Sequence, residues 1–156
     1  EECLVLCDTN TTHNSGDIHV DQRQQMEAAH VQSLVETNVQ LSYAMRNHLL
    51  RGRLFQFGQA LDKAWQFKKQ FSDKISSSRL DQIYAEARLH GAIGGKLLGA
   101  GGGGFFLFYA PPYQKHDLVT HLEGAGLNVR PFRFEPQGMQ AWTVRESKNH
   151  HDNEIV

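Results

Sequence analysis

Cysteine and proline are scarce in this 156-residue sequence, at two and four residues, and neither sign of charge dominates: 16 Lys and Arg stand against 17 Asp and Glu. Near-neutrality removes the electrostatic footprint by which a domain gathers on nucleic acid or anionic lipid, so neither is expected as a partner. No run reaches the roughly eighteen apolar residues of a membrane-spanning helix, and no basic stretch with a cleavage site marks a secretory signal. A soluble, cytoplasmic protein is expected. Cys3 and Cys7 lie four apart in an apolar run that reads as a strand, where they share a face but are too distant for a disulfide, so buried thiols in a reducing compartment are expected. His150 and His151 lack partners at zinc-ligand spacing, and no metal site is expected.

Glycine, by contrast, is concentrated. Eight of the 14 glycines fall between Gly91 and Phe108, in GAIGGKLLGAGGGGFFLF. Four in a row, Gly101 to Gly104, are costly to order unless the backbone takes positive φ or another group must approach closely. Successive N–H groups in such a turn form a concave nest suited to phosphate or carboxylate oxygens. A Walker A loop is excluded, because His90 and Leu97 stand where it needs a glycine and a Ser or Thr around Gly95-Lys96. Gly99, Gly101 and Gly104 spell GxGxxG, yet the pattern predicts a helix before them and a strand after, the reverse of a dinucleotide fold. A turn with a purely structural role is the plainer alternative.

With 40% hydrophobic residues the chain can build one ordinary core. It begins Glu-Glu-Cys-Leu-Val, without a methionine and apolar almost at once, and reads as a piece of a longer protein. Cys3 to Asp8 predicts a buried strand, and Thr9 to Gly16 the loop after it, whose Thr9, Asn10 and His13 either contact a polyhydroxylated ligand or serve as turn and cap residues. Apolar spacing predicts a long helix from Asp17 to about Arg51, a break at Gly52, and a second helix to about Phe71 packed antiparallel to the first. Trp65 with Lys68 and Lys69 reads either as a core tryptophan beside a solvated basic face or as a platform for an anionic sugar phosphate. Ser78-Arg79-Leu80-Asp81 reads as a capping box opening a third helix that Gly91 ends, delivering the chain into the glycine loop. The strand Phe105 to Tyr109, a helix from Tyr113 to about Glu123, and strands Val129–Phe134 and Gln140–Arg145 joined as a hairpin through Glu135-Pro136-Gln137-Gly138 complete the expectation. The tail from Glu146 is expected to fray. This order predicts an α+β fold, helices packed on one face of a small, mainly antiparallel sheet.

GGKLLGAGGGGFFLF resembles the third conserved motif of the GHMP kinases, the superfamily of galactokinase, homoserine, mevalonate and phosphomevalonate kinases, with its KLxGAGGGG loop. Within it the chain is similar to sugar kinases of the D-glycero-D-manno-heptose 7-phosphate type from about Leu4 to Val144. The landmarks are Asp8-Thr9 with Ser15, Ile18 and Gln22; Leu50-Arg51-Gly52; Trp65-Gln66-Phe67-Lys68-Lys69; the motif itself; and Pro131-Phe132-Arg133-Phe134. The resemblance implies a ferredoxin-like C-terminal domain over residues 1–145. It also implies a preceding N-terminal domain in cis that holds most of the ATP and Mg²⁺ contacts and the acidic base. No catalytic residue is therefore expected here. The loop residues Gly95, Lys96, Gly99, Ala100, Gly101, Gly102, Gly103 and Gly104 are expected beside the phosphate, and Thr9, Asn10, His13, Lys68 and Lys69 toward a sugar. Asn10 and His13 stand where the family shows a Thr-Gly pair and an arginine, which leaves the sugar open. The implied activity is ATP-dependent phosphorylation of a sugar or sugar phosphate by the complete protein. The alternative is a non-catalytic ligand-binding or regulatory domain of the same fold.

Overall fold

The computed structural model describes residues 1–11, 20 and 29–143. Its order is β1 (Leu4–Asp8), α1 (Ala29–Leu50), α2 (Leu54–Lys69), α3 (Ser78–Leu89), β2 (Gly94–Leu97), β3 (Phe105–Tyr109), α4 (Pro112–Gly124) and β4 (Asn128–Arg130). The strands form one antiparallel sheet in the order β2-β3-β1-β4. The expected α+β class is what is found.

Alternation decides which side of the sheet is core. Val5 and Cys7 of β1 pair with Phe108 and Phe106 of β3, and all four are buried. Against them pack Leu80, Ile83, Tyr84 and Ala87 of α3, Leu118 and Leu122 of α4, and Trp65 of α2. The helical spacing read in α2, α3 and α4 is thus the spacing of residues facing this layer, whereas no described residue of α1 joins it. Each fully buried large side chain contributes roughly 1.5–3 kcal/mol relative to exposure. Trp65, 0% exposed, meets Phe106 edge-on at 5.4 Å, so the core reading of this tryptophan holds. Burial holds the Cys7 thiol protonated, raising it to about 11, with the Asp8 carboxylate adding to the effect.

The helix ends follow backbone chemistry. Gly91, at φ 98°, lets the Ala92 N–H reach back to the Ala87 carbonyl at 3.0 Å and closes α3 in a Schellman turn. Gly52 and Gly126 close α1 and α4 the same way. The α3 start lies one residue earlier than the expected capping box: Ser77 Oγ accepts the Leu80 N–H at 3.3 Å. Asp81 instead accepts from Ser76 Oγ and Lys69 Nζ.

Two further expectations fail. Gly91 does not deliver the chain straight into a loop, because Gly94-Gly95-Lys96-Leu97 forms β2, paired with β3 from Gly94↔Tyr109 to Leu97↔Phe106. The expected C-terminal hairpin is also not formed. β4 spans only Asn128–Arg130 and pairs with β1, and residues 131–143 carry no strand. Pro131 stops that ladder, since it has no N–H to donate. Before Ala29 the expected helix is described only at Val20, which is helical; the rest of it, with Ser15, Ile18 and Gln22, and likewise Val144, Arg145 and the tail from Glu146, lies outside the described residues.

Candidate functional site

The site is the turn between β2 and β3. Leu98 N–H bonds the Phe105 carbonyl at 2.8 Å and closes its base, leaving residues 99–104 as the loop proper. Gly99, Gly101, Gly102 and Gly104 take φ values of 72°, 129°, 74° and 92°, a sequence that only glycine makes without strain. Gly95 and Lys96 belong to β2 and not to the loop, which corrects their expected position.

Three neighbours fix the loop. Gly102 N–H donates to the Ile75 carbonyl at 2.8 Å, and Gly104 N–H to the Thr11 carbonyl at 3.2 Å. The Gly104 carbonyl accepts the Thr9 N–H at 2.8 Å. Two N–H groups of the expected nest therefore serve the fold. Among the described residues, Gly99, Gly101 and Gly103 have N–H groups without a hydrogen-bond partner. A Cβ built on Gly99 meets nothing within 4 Å, so the loop faces open space there.

Lys68 supplies a further fixing point. From the last turn of α2 its Nζ donates to the carbonyls of Leu97 at 3.0 Å and Gly99 at 2.6 Å. Burial, followed by the charge of nearby Lys96, lowers Lys68 from 10.5 to about 8. Burial also lowers Lys96. Two ammonium groups crowded under a turn of glycine N–H groups favour an incoming anion, whose charge relieves their mutual repulsion. The donor set suits phosphate oxygens. It does not suit Mg²⁺, which takes oxygen ligands.

The other expected residues divide. Thr9, 2% exposed, lies against Gly104, and its Oγ1 accepts the Thr11 N–H at 3.3 Å. Asn10, at φ 54°, turns toward β4, where its amide donates to the Gly126 carbonyl at 3.0 Å and accepts from Asn128 at 2.9 Å. Both ends of that side chain thus hold an internal bond. Lys69 points to α3, 3.2 Å from Asp81, with its ammonium 5.7 Å above the Trp65 ring. His13 lies outside the described residues. The Ile75 and Thr11 carbonyls that tether the loop were not anticipated, because a main-chain acceptor leaves no signature in residue type.

A β2-loop-β3 hairpin with helices banked on one sheet face frames this turn. Residues 45–120 match the family described as GHMP kinases C terminal. The chain is 31% identical over 144 residues to D-glycero-alpha-D-manno-heptose 7-phosphate kinase of Campylobacter jejuni, covering 92% of this chain and 42% of that protein. The solved structure of L. major mevalonate kinase in complex with R-mevalonate superposes with a TM-score of 0.70 at 25% identity, over 78% of this chain and 37% of the other. The Lin0012 protein from Listeria innocua shares the fold at a TM-score of 0.76 and 16% identity, over 83% of this chain and 38% of its own. This chain carries a GHMP kinase C-terminal domain. It spans less than half the length of the heptose kinase it matches.

Proposed function

We propose that the chain is the C-terminal domain of an ATP-dependent sugar or sugar-phosphate kinase, of the heptose 7-phosphate kinase type, acting in the cytoplasm with an N-terminal domain in cis. The observation that carries this reading is the turn from Gly99 to Gly104, with the Gly99, Gly101 and Gly103 N–H groups free of internal bonds and with Lys68 and Lys96 crowded at its base. When bound, ATP supplies the phosphoryl group that passes to a sugar hydroxyl. Phosphoryl transfer needs reactants held in line and charge neutralised, more than covalent help from protein. Gly99, Gly101 and Gly103 would donate to phosphate oxygens, with Ala100 between the first two in the same cradle. Lys68 would hold the loop's shape through two carbonyls while adding charge beneath it, and Lys96 would add a second charge. Thr9 would set the floor next to Gly104. Mg²⁺ and the acidic base fall to the N-terminal domain, as the loop offers no oxygen ligands suited to the metal.

The test is a coupled ADP-release assay with a panel of sugars and sugar phosphates, run on the complete protein and on residues 1–156 alone. Sugar-dependent turnover by the complete protein and none by the shorter chain is the expected result. Turnover by the shorter chain would place the whole active site within it and overturn the two-domain reading. No turnover by either would favour a non-catalytic domain that kept the fold.

A further inference from the structure

Glu86 and His90 stand one turn apart on α3 and at its C-terminal cap, and Asp117 and His121 stand one turn apart on α4. The i,i+4 spacing places each carboxylate on the same helix face as its histidine. Packing of Ile83 and Ala87 with Leu118 and Leu122 then turns the two pairs toward each other. The imidazoles of His90 and His121 stack with centroids 3.6 Å apart and planes 10° from parallel. Pairing is crossed between the helices: His121 Nε2 lies 3.2 Å from Glu86 Oε2, and His90 Nδ1 lies 3.2 Å from Asp117 Oδ2. One ligand atom each from Glu86, His90 and His121 falls within 4.8 Å of the others.

We propose that Glu86, His90 and His121 form a site for a divalent transition metal of the zinc class, with Asp117 orienting His90. Two imidazoles and one carboxylate are the donor set that borderline cations such as Zn²⁺ and Co²⁺ take, and one that Mg²⁺ does not seek. Asp117 at Nδ1 of His90 holds the proton on that nitrogen and leaves Nε2 as the lone pair for the ion, the carboxylate–histidine arrangement common behind zinc ligands. Parallel rings place their nitrogens side by side instead of converging, so loading tilts each ring out of the stack and turns Glu86 from His121 toward the ion. Three protein ligands leave a coordination position for water. A cavity of about 160 Å³ lined by Arg79, Gln82, Glu86 and His121 gives that water access. The ion would clip α3 to α4, independently of the glycine loop and of the activity proposed for it.

The experiment is a Co²⁺ titration of the chelator-stripped protein, followed by visible absorption and by NMR of the imidazole protons. One saturable equivalent with ligand-field bands is expected, displaced by Zn²⁺ and not by Mg²⁺, with the His90 and His121 resonances broadened first. His90→Gln and His121→Gln should each abolish the band, Asp117→Asn should weaken Co²⁺ binding by about 10–100-fold, and His150→Gln with His151→Gln should leave it intact. Circular dichroism of each variant separates a lost ligand from a lost fold. Absence of a saturable band, survival of the band in the His90→Gln/His121→Gln double variant, or broadening confined to other histidines of the unmutated protein would overturn the site.

Discussion

Two sets of glycines, one where α2 meets β2 and one in the turn after β2, answer to different physics. Gly58, Gly94 and Gly95 have ordinary φ values, and what matters at them is the missing side chain. A Cβ on Gly94 would overlap the Gly58 carbonyl oxygen of α2, one on Gly58 the Tyr109 ring, and one on Gly95 the Phe108 ring. These three let α2 lie directly on β2 and let β2 lie on β3. Gly99, Gly101, Gly102 and Gly104 are needed for positive φ, and at Gly99 the space beyond is empty. Gly101 belongs to both sets, since at φ 129° its Cβ would also stand 2.9 Å from the Ile75 Cα. One run of sequence therefore holds a packing seam and a ligand-facing turn, separable by substitution.

The largest expected effect is at the seam. Gly94→Ala forces backbone apart from backbone and should cost on the order of 3 kcal/mol or prevent folding, read by urea denaturation. A loss below about 1 kcal/mol would show that α2 and β2 are not in this close contact.

Next is the turn. Gly99→Ala adds about 1–2 kcal/mol of left-handed strain but meets no atom, so the protein should fold while phosphoryl transfer falls by roughly tenfold or more, since one displaced donor can cost that and beyond. Kinetics of the complete protein beside a thermal melt decide it. Unchanged turnover would assign both glycine sets to the fold. Gly102→Val carries the same strain and also shifts the N–H held by Ile75, so it should lower both readouts together.

A smaller effect concerns Lys68. Between about 8 and 10.5 the unfolded chain keeps this proton and the folded chain has lost it, so Lys68 makes the fold more stable as pH rises across that window. Its charge fades over the same window, so affinity of the loop for inorganic phosphate should drop as pH passes about 8. Phosphate titrations by NMR at pH 6.5 and 9.5 test this, and Lys68→Met should flatten the difference. Equal affinities at the two pH values would remove Lys68 from the anion site. Lys69→Ala should change least, within about 1 kcal/mol of stability, because its bridge to Asp81 is partly exposed. An effect on phosphate affinity equal to that of Lys68→Met would return Lys69 to the site.

Much of this could be read from residue order, and the misses share a cause. The four helices announce themselves through apolar spacing and through Gly52, Gly91 and Gly126. β1 and β3 do so as short apolar runs. β2 does not, because GGKL has neither β-branched residues nor alternation, and only its pairing with β3 makes it a strand. Val129 to Phe134 alternates well but has no partner beyond Arg130, so local pattern overstated the strand. At the site, the glycines and Lys68 were legible, through φ demands and through family resemblance respectively. What separated Lys68 from Lys69 was not, since adjacent residues on a helix point about 100° apart and only the tertiary fold says which one meets the loop. The Glu86/His90 and Asp117/His121 pairs escape a reading of residue order, because an i,i+4 spacing is common on solvated helices and nothing in the sequence says that these two helices face each other.

The position of β1 has a consequence for the growing chain. Residues 4–8 occupy the middle of the sheet, with one flank closed by β3 and the other by β4 at residues 128–130. Both partners lie about a hundred residues downstream. During synthesis the helices of residues 29–89 can form while β1 waits with both edges unpaired. A nascent chain that has released Tyr109 from the ribosome but not yet Asn128 would hold β1 joined on one side and open on the other, an edge prone to capture by any extended peptide nearby.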